Sequence, residues 1–295
     1  MSKYISKFIH LHIYSFHHLL IPFPCADFFY FYTMQSTNYQ AQSLQIELKN
    51  DYAIVRIDAG KVNAISTQLL NDIIEIFDAL DQNEHIKGAI LSGRPHAFSA
   101  GLDIVSVSMM DEAARIEYWE SYMYALGALV RFSKPLVCAI TGYAPAGATI
   151  LTLCTDYRIM GRGAKHVIGM HEFKMSLQIP EMLCDVYAYH LGEIQAWKAV
   201  QQARLYTSDE ALDIGLVDES VEVEEVLPRA EAHLQKLTQL YPKVFHTSKK
   251  YLRKKLYDTV VHRDVPALAR QTVAFNQDPE LQAKVLEFVM SLKKK

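Results

Sequence analysis

Two short stretches constrain this chain more than any others: AFSAGLDI at 97–104 and GYAPAGATI at 142–150. Each follows a compact apolar run, KGAILS at 87–92 and PLVCAIT at 135–141, with the length and residue type of a buried strand. Glycine closes each run, so a loop begins where the strand stops. In the first loop Gly101 removes the Cβ that would hold a ligand off the backbone, and Asp103 can cap a turn or a helix. The Leu102 amide is then left for something outside its own loop. In the second loop small residues lead into a helix expected from about Thr149. This offers the Gly147 amide at a helix N-terminus, where the dipole favours negative charge. Two such amides converging on one oxygen would form an oxyanion hole. Small-residue loops after strands are also common as plain turns, and spacing by itself leaves both readings open.

The residues themselves resemble the enoyl-CoA hydratase/isomerase (crotonase) family. FSAGLDI is similar to that family's first oxyanion loop and GYAPAGATI to its second, with the usual glycine run altered to Ala146-Gly147-Ala148. The resemblance runs from about Leu44 to the C-terminus. It implies an α/β fold: a crotonase-like spiral core of ββα units over 44–220, with a C-terminal helical region at 221–295 used in trimer assembly. It implies an acyl-CoA thioester as partner, with coenzyme A part of the substrate and no separate cofactor, and a homotrimer or dimer of trimers. By the same likeness the amides of Leu102 and Gly147 hold the thioester oxygen. Ala64 and Ile65 would lie beside the CoA adenine and pantetheine, and Ala100, Gly101, Asp103 and Ile104 would border the substrate along the first loop.

The string GMHE at 169–172 resembles the family's position for a catalytic glutamate, which makes Glu172 the candidate base. In an apolar pocket, desolvation would raise its pKa toward neutrality and let it both take and return a proton. By residue type alone a loop glutamate is a solvated side chain. Its register with both loops is what argues otherwise. Hydratases of the family bring a second glutamate from the helix after the second loop, and Ile150 stands at that position. Adding water needs one group to activate it and another to complete the proton traffic, whereas moving a double bond needs a single base.

The subgroup most similar is the Δ3,Δ2-enoyl-CoA isomerases, in HAFSAGLDIVSV, DYRIM, IGMHE and RDVPALARQTVAFNQDPELQ. The expected reaction is the shift of 3-enoyl-CoA to 2-trans-enoyl-CoA in unsaturated fatty acid β-oxidation, with Ile150 keeping water from the intermediate. A hydratase or other crotonase-type enzyme is one alternative, and a non-catalytic acyl-CoA binder another. His171 stands where the subgroup commonly has Asn and would alter the pocket's polarity or the pKa of Glu172. The segment 173–185 is individual, and in the family it shapes acyl-chain choice.

Half of the 295 residues are apolar and the net charge is −3, which supports a core without disulfide staples and gives no broad basic surface for nucleic acid. Cys25, Cys138, Cys154 and Cys184 have no paired spacing, as buried thiols of a reducing compartment would. No glycine fingerprint for a dinucleotide follows the first strands.

Residues 1–33 differ from the rest: they are rich in aromatics, with Lys3 and Lys7 as their only Lys or Arg residues and breaks at Pro22 and Pro24. His10, His12, His17 and His18 interrupt what would be the apolar part of a secretory signal, and the lack of Arg argues against a transit peptide. The histidines also lack a complete metal-ligand pattern. The expectation is a poorly ordered, dispensable extension before a natural start at Met34, with membrane association as the second reading, on a cytoplasmic protein, or a mitochondrial one if 1–33 is a targeting segment. No metal site and no integral membrane segment are expected.

From Leu44, LQIELKN and YAIVRID alternate around Asn50-Asp51, which predicts a β-hairpin. Ser66 can cap a helix whose Leu69, Leu70, Ile73, Ile76, Phe77 and Leu80 share one face. A helix is expected from Asp111 to Phe132, its aromatics and methionines read as core rather than pocket. Thr207 to Gly215 reads as a capped helix before a short strand. Helices over 226–240, 242–259, 264–276 and 279–292 complete the chain. The basic run Lys249, Lys250, Arg253, Lys254 and Lys255 reads as a solvated helix face, with attraction for CoA phosphates as the alternative.

Overall fold

The first elements follow from local pattern, and the computed structural model, which describes residues 39–293, forms them where alternation and caps predict. The readings of 1–33, its histidines included, and of Cys25 lie outside the described residues. Strands β1 (Leu44–Leu48) and β2 (Tyr52–Ile57) pair antiparallel as the expected hairpin. Helix α1 (Thr67–Gln82) starts at Ser66, whose side chain accepts from the Leu69 amide, and it buries the six apolar residues that share its face. Next come β3 (Gly88–Ser92), β4 (His96–Ala97), α2 (Ile104–Met109) and α3 (Glu112–Arg131). Asp103 and Asp111 cap these two helices. Then follow β5 (Leu136–Ile140), β6 (Gly142–Pro145), α4 (Gly147–Leu153), β7 (Tyr157–Gly161), β8 (Ile168–Gly169) and a 3₁₀ turn, Glu172–Met175.

The remainder is mainly helical: α5 (Glu181–Leu191), α6 (Glu193–Gln201), α7 (Ser208–Asp213), the short strand β9 (Glu219–Val221), α8 (Val226–Thr238), α9 (Pro242–Leu252), α10 (Lys254–Val260), α11 (Val265–Phe275) and α12 (Pro279–Lys293). Thr207 and Glu210 form a full capping box at α7.

Six strands make one sheet in the order β1-β2-β3-β5-β7-β9, parallel except for the hairpin. Because strand side chains alternate, both faces bury apolar residues. Val55, Leu91 and Cys138 face the main core with α1 and α3, while Ile54, Ile90 and Val137 face Val226, Ala230 and Leu234 of α8. A smaller parallel sheet has the order β4-β6-β8. The chain thus winds three times through a long strand of the large sheet, a short strand of the small one, and a helix.

The structure corrects four expectations. The stretch Gly142 to Ala148 is not all loop: β6 occupies Gly142–Pro145 and α4 begins at Gly147, not near Thr149. Small residues permit this close pairing, since a Cβ on Gly142 would sit 2.1 Å from the His96 carbonyl carbon. The helix expected over 242–259 divides at Arg253. There the guanidinium bonds Asp156 and the Thr155 carbonyl. The basic run is therefore no solvated face throughout. Lys249 is buried, with its Nζ donating to the Phe132 and Lys134 carbonyls and to Asp156. Of the described cysteines Cys138 and Cys154 are buried as expected, but Cys184 is exposed.

Candidate active site

The small sheet delivers the candidate groups. Leu102 follows β4, Gly147 follows β6 and Glu172 follows β8, three strands lying side by side. Adjacent strands lie about 4.8 Å apart, so the outer exits are separated by about 10 Å. In the first loop the Ile65 amide donates to the Gly101 carbonyl (2.9 Å) and the Asp103 amide to the Ile65 carbonyl (3.2 Å). The Leu102 amide lies between these bonds and takes no part in them. Gly101 has φ of 86°, and a Cβ there would lie 3.0 Å from the Pro145 carbonyl oxygen and 3.8 Å from the Gly147 nitrogen. The loops are therefore in contact.

In the second loop Ala146 adopts φ 55° and ψ −125°, a conformation costly for any residue with a Cβ, and its amide donates to Gly169 (2.8 Å). No side chain caps α4, and the Gly147 N–H opens the helix without a carbonyl one turn before it. A Cβ on Gly147 would lie 2.7 Å from Leu102 Cδ2. Thr149 Oγ1 donates to the Ala144 carbonyl (2.7 Å) and accepts from the Gly169 amide (2.9 Å), tying α4 to the strand that leads to Glu172.

Glu172 is 7% exposed. It lies on the wall of a cavity of about 290 Å³ shared with Leu102, Ile104, Trp119 and Leu183. It is the one carboxylate of that lining among the described residues; Arg115 is the other ionisable group. Its Oε2 has no hydrogen-bond partner among the described residues. Burial pushes the carboxyl up to about 7, against the opposing pull of the backbone N–H groups of Glu172 and His171. His171 thus bears on Glu172 through its backbone. Its own ring is held below the usual pKa by burial first and Lys174 second.

Comparison with known proteins settles the family, for residues 47–293 match the model described as Enoyl-CoA hydratase/isomerase. The chain belongs to the enoyl-CoA hydratase/isomerase family. Among its relatives, the mitochondrial enoyl-CoA delta isomerase 1 of Rattus norvegicus is 30% identical over 244 residues, 82% of this chain and 84% of the relative. A probable enoyl-CoA hydratase of Mycobacterium avium is 30% identical over 185 residues, 61% of this chain and 69% of the relative. The crystal structure of human mitochondrial delta3-delta2-enoyl-CoA isomerase matches with a TM-score of 0.82 at 26% identity, covering 86% of this chain and 99% of that one. The fold is the crotonase fold, as the sequence implies.

Within this family member, Leu102, Ile104 and Glu172 share the cavity wall, and Gly147 packs against Leu102. Gly147 itself, Ala64, Ile65, Ala100, Gly101, Asp103, Ile150 and His171 are not on that wall. Ile65 and Ile150 are fully buried in the main core, and Ile65 serves the first loop through its backbone. Asp103 spends both carboxylate oxygens on Ser106 as the cap of α2. The sequence names Trp119 of α3 with core as the favoured reading over tunnel lining, and it singles out nothing at Arg115; both are on the wall. A second cavity of about 1070 Å³ meets the first at Leu177, Gln178 and Leu281 and lies along the segment after Glu172. Among the described residues no group of three or more His, Cys, Asp or Glu side chains is arranged for a metal ion, and no helix is long and apolar enough to cross a membrane.

Proposed function

We propose that this protein shifts the double bond of a 3-enoyl-CoA to give 2-trans-enoyl-CoA, with Glu172 as proton shuttle. One observation carries the reading: among the described residues Glu172 is a lone buried carboxylate on the cavity wall with an unpartnered oxygen, and buried Ile150 stands where hydratases carry a second glutamate. The Glu172 carboxylate takes a proton from C2 of the substrate. The electron pair of that C–H bond delocalises into the thioester carbonyl and the C3–C4 double bond. The Leu102 and Gly147 amides donate to the resulting dienolate oxygen. The same carboxyl returns the proton at C4, leaving the double bond between C2 and C3. A carboxyl near neutrality suits both transfers, because it is neither too weak to abstract nor too strong an acid to hold the proton between steps.

The name of the rat relative and that of the human structure support isomerase chemistry. Hydration is the second reading, and the Mycobacterium avium relative favours it. Purified protein given 3-enoyl-CoA and 2-enoyl-CoA separately discriminates them: conjugation from the first supports the isomerase, hydration of the second the hydratase, and tight binding without turnover a non-catalytic binder. Glu172→Gln is expected to abolish isomerisation while leaving binding mostly intact, and unchanged turnover would remove Glu172 from the mechanism. The wild-type rate is expected to rise with pH through about 7, as the base must be ionised.

The larger cavity suits the acyl tail. The mitochondrial naming of the rat relative favours a mitochondrial site of action over a cytoplasmic one, which cell fractionation tests. Exposed Tyr241, Val244, Tyr251 and Leu252 along 241–252 suit an interface between copies, and the homotrimer or dimer of trimers that the resemblance implies is testable as a solution mass three or six times that of the chain.

A further inference from the structure

We infer that Tyr118 and Tyr122 are positioning residues that hold the two oxyanion loops in register with each other. The inference rests on the oxyanion role proposed for Leu102 and Gly147. Both tyrosines are fully buried on α3, four residues apart, so their side chains leave the helix on one face. Tyr118 Oη donates to the Ile65 carbonyl at 2.7 Å. Ile65 is the residue whose amide and carbonyl bond Gly101 and Asp103, the two neighbours of Leu102. Tyr122 Oη donates to the Gly147 carbonyl, also at 2.7 Å.

One helix therefore grips the support of the first loop and the first residue after the second. The Asp111 side chain caps one end of that helix, and a half-exposed Arg131–Asp78 ion pair lies at the other. Between the tyrosines Trp119, on the cavity wall, meets both rings edge-on with centroids 5.9 Å away. The Ile65 carbonyl already accepts from the Asp103 amide, so the Tyr118 hydroxyl is not needed to satisfy an orphan acceptor. Packing alone would be served by phenylalanine. The hydroxyls add direction, fixing how far each loop stands from a common ruler. Burial raises both phenols, so they remain protonated donors throughout the working pH range. Such registration matters because displacing a donor or reacting group by about 1 Å can cost about a hundredfold in rate.

The test compares Y118F, Y122F and the double variant with wild type. It measures kcat, KM and the pH profile on 3-enoyl-CoA, thermal unfolding, and the carbonyl stretch of bound 2-enoyl-CoA carrying ¹³C at the thioester. Each single variant is expected to lower kcat about tenfold and leave KM within about twofold, with the pH profile unmoved. The bound carbonyl stretch should move back toward its value in solution. A lowered melting temperature with kcat and stretch unchanged would overturn the inference, as would failure of both single variants to fold, since the hydroxyls would then serve folding alone. The stretch is read without turnover. Wild type that shifts the carbonyl but does not isomerise discards the isomerase reading, and the inference stands if the variants lose that shift. Wild type that binds without any carbonyl shift discards the oxyanion reading and the inference with it.

Discussion

The loop after β4 and the loop after β6 each leave one amide out of the local hydrogen bonding, and they do it by different means. The first uses Gly101 at φ 86°, where a glycine is unstrained, and continues into a helix that Asp103 caps. The second places Ala146 at φ 55° and opens α4 with no side-chain cap. The first is relaxed and closed off; the second is strained and bare. A strained alanine persists where surrounding bonds over-determine it, and here its amide is held by Gly169 while Thr149 ties the same strand to α4. The difference teaches that an exposed amide can come from conformational freedom in one loop and from enforced geometry in the next.

The largest test of this contrast adds a methyl to each loop. Gly101→Ala meets both an unfavourable φ and the Pro145 backbone oxygen, so kcat/KM is expected to fall about a thousandfold in steady-state assays. Gly147→Ala meets side chains and no backbone atom, Leu102 Cδ2 at 2.7 Å and Cγ and the Tyr122 hydroxyl at 3.1 Å, and a smaller loss of about a hundredfold is expected. Equal losses would break the contrast.

Neither substitution should touch the pH dependence set by Glu172. The folded carboxyl keeps its proton up to about 7, whereas the unfolded one loses it near 4.5, so wild-type stability falls as pH rises across that window. The loss amounts to about 3 kcal/mol, present in both alanine variants and absent in Glu172→Gln, as denaturant melts at pH 5 and pH 8 would measure. Smaller effects sharpen the comparison within each loop. Asp103→Ala removes the first loop's cap and is expected to cost about 1 kcal/mol in denaturant unfolding. Ala146→Gly relieves the second loop's strain against glycine's greater chain entropy, and a net gain of about 0.5 kcal/mol is expected by the same measurement.

Much of the fold was legible because the relevant physics is local. Ser66, Asp111 and Thr207 mark helix starts through side chains that reach only a few residues along the chain. The buried face of α1 follows from spacing alone. Asp103 was readable as a cap, and Glu172 through the likeness of GMHE to a known position. What stayed illegible depends on partners far along the chain. Gly142 to Pro145 reads as loop until β4 and β8 lie on either side of it. Lys249 reads as a solvated cation until Asp156 and two carbonyls surround it. Tyr118 and Tyr122 read as core, which they are, yet nothing in the spacing of α3 reveals which carbonyls their hydroxyls reach.

By itself the amino-acid sequence determined the first hairpin, the helix starts at Ser66, Asp111 and Thr207, the apolar face of α1, and which residue types could bare an amide or carry a proton. Only the tertiary structure decided that Leu102, Ile104 and Glu172 share one wall, that Gly147 stands against Leu102, and that among the described residues one carboxylate lines that cavity. The reason is range: caps and periodicity act over a turn or two of chain, whereas desolvating a carboxyl and bringing two loops into contact require strands far apart in sequence to lie side by side.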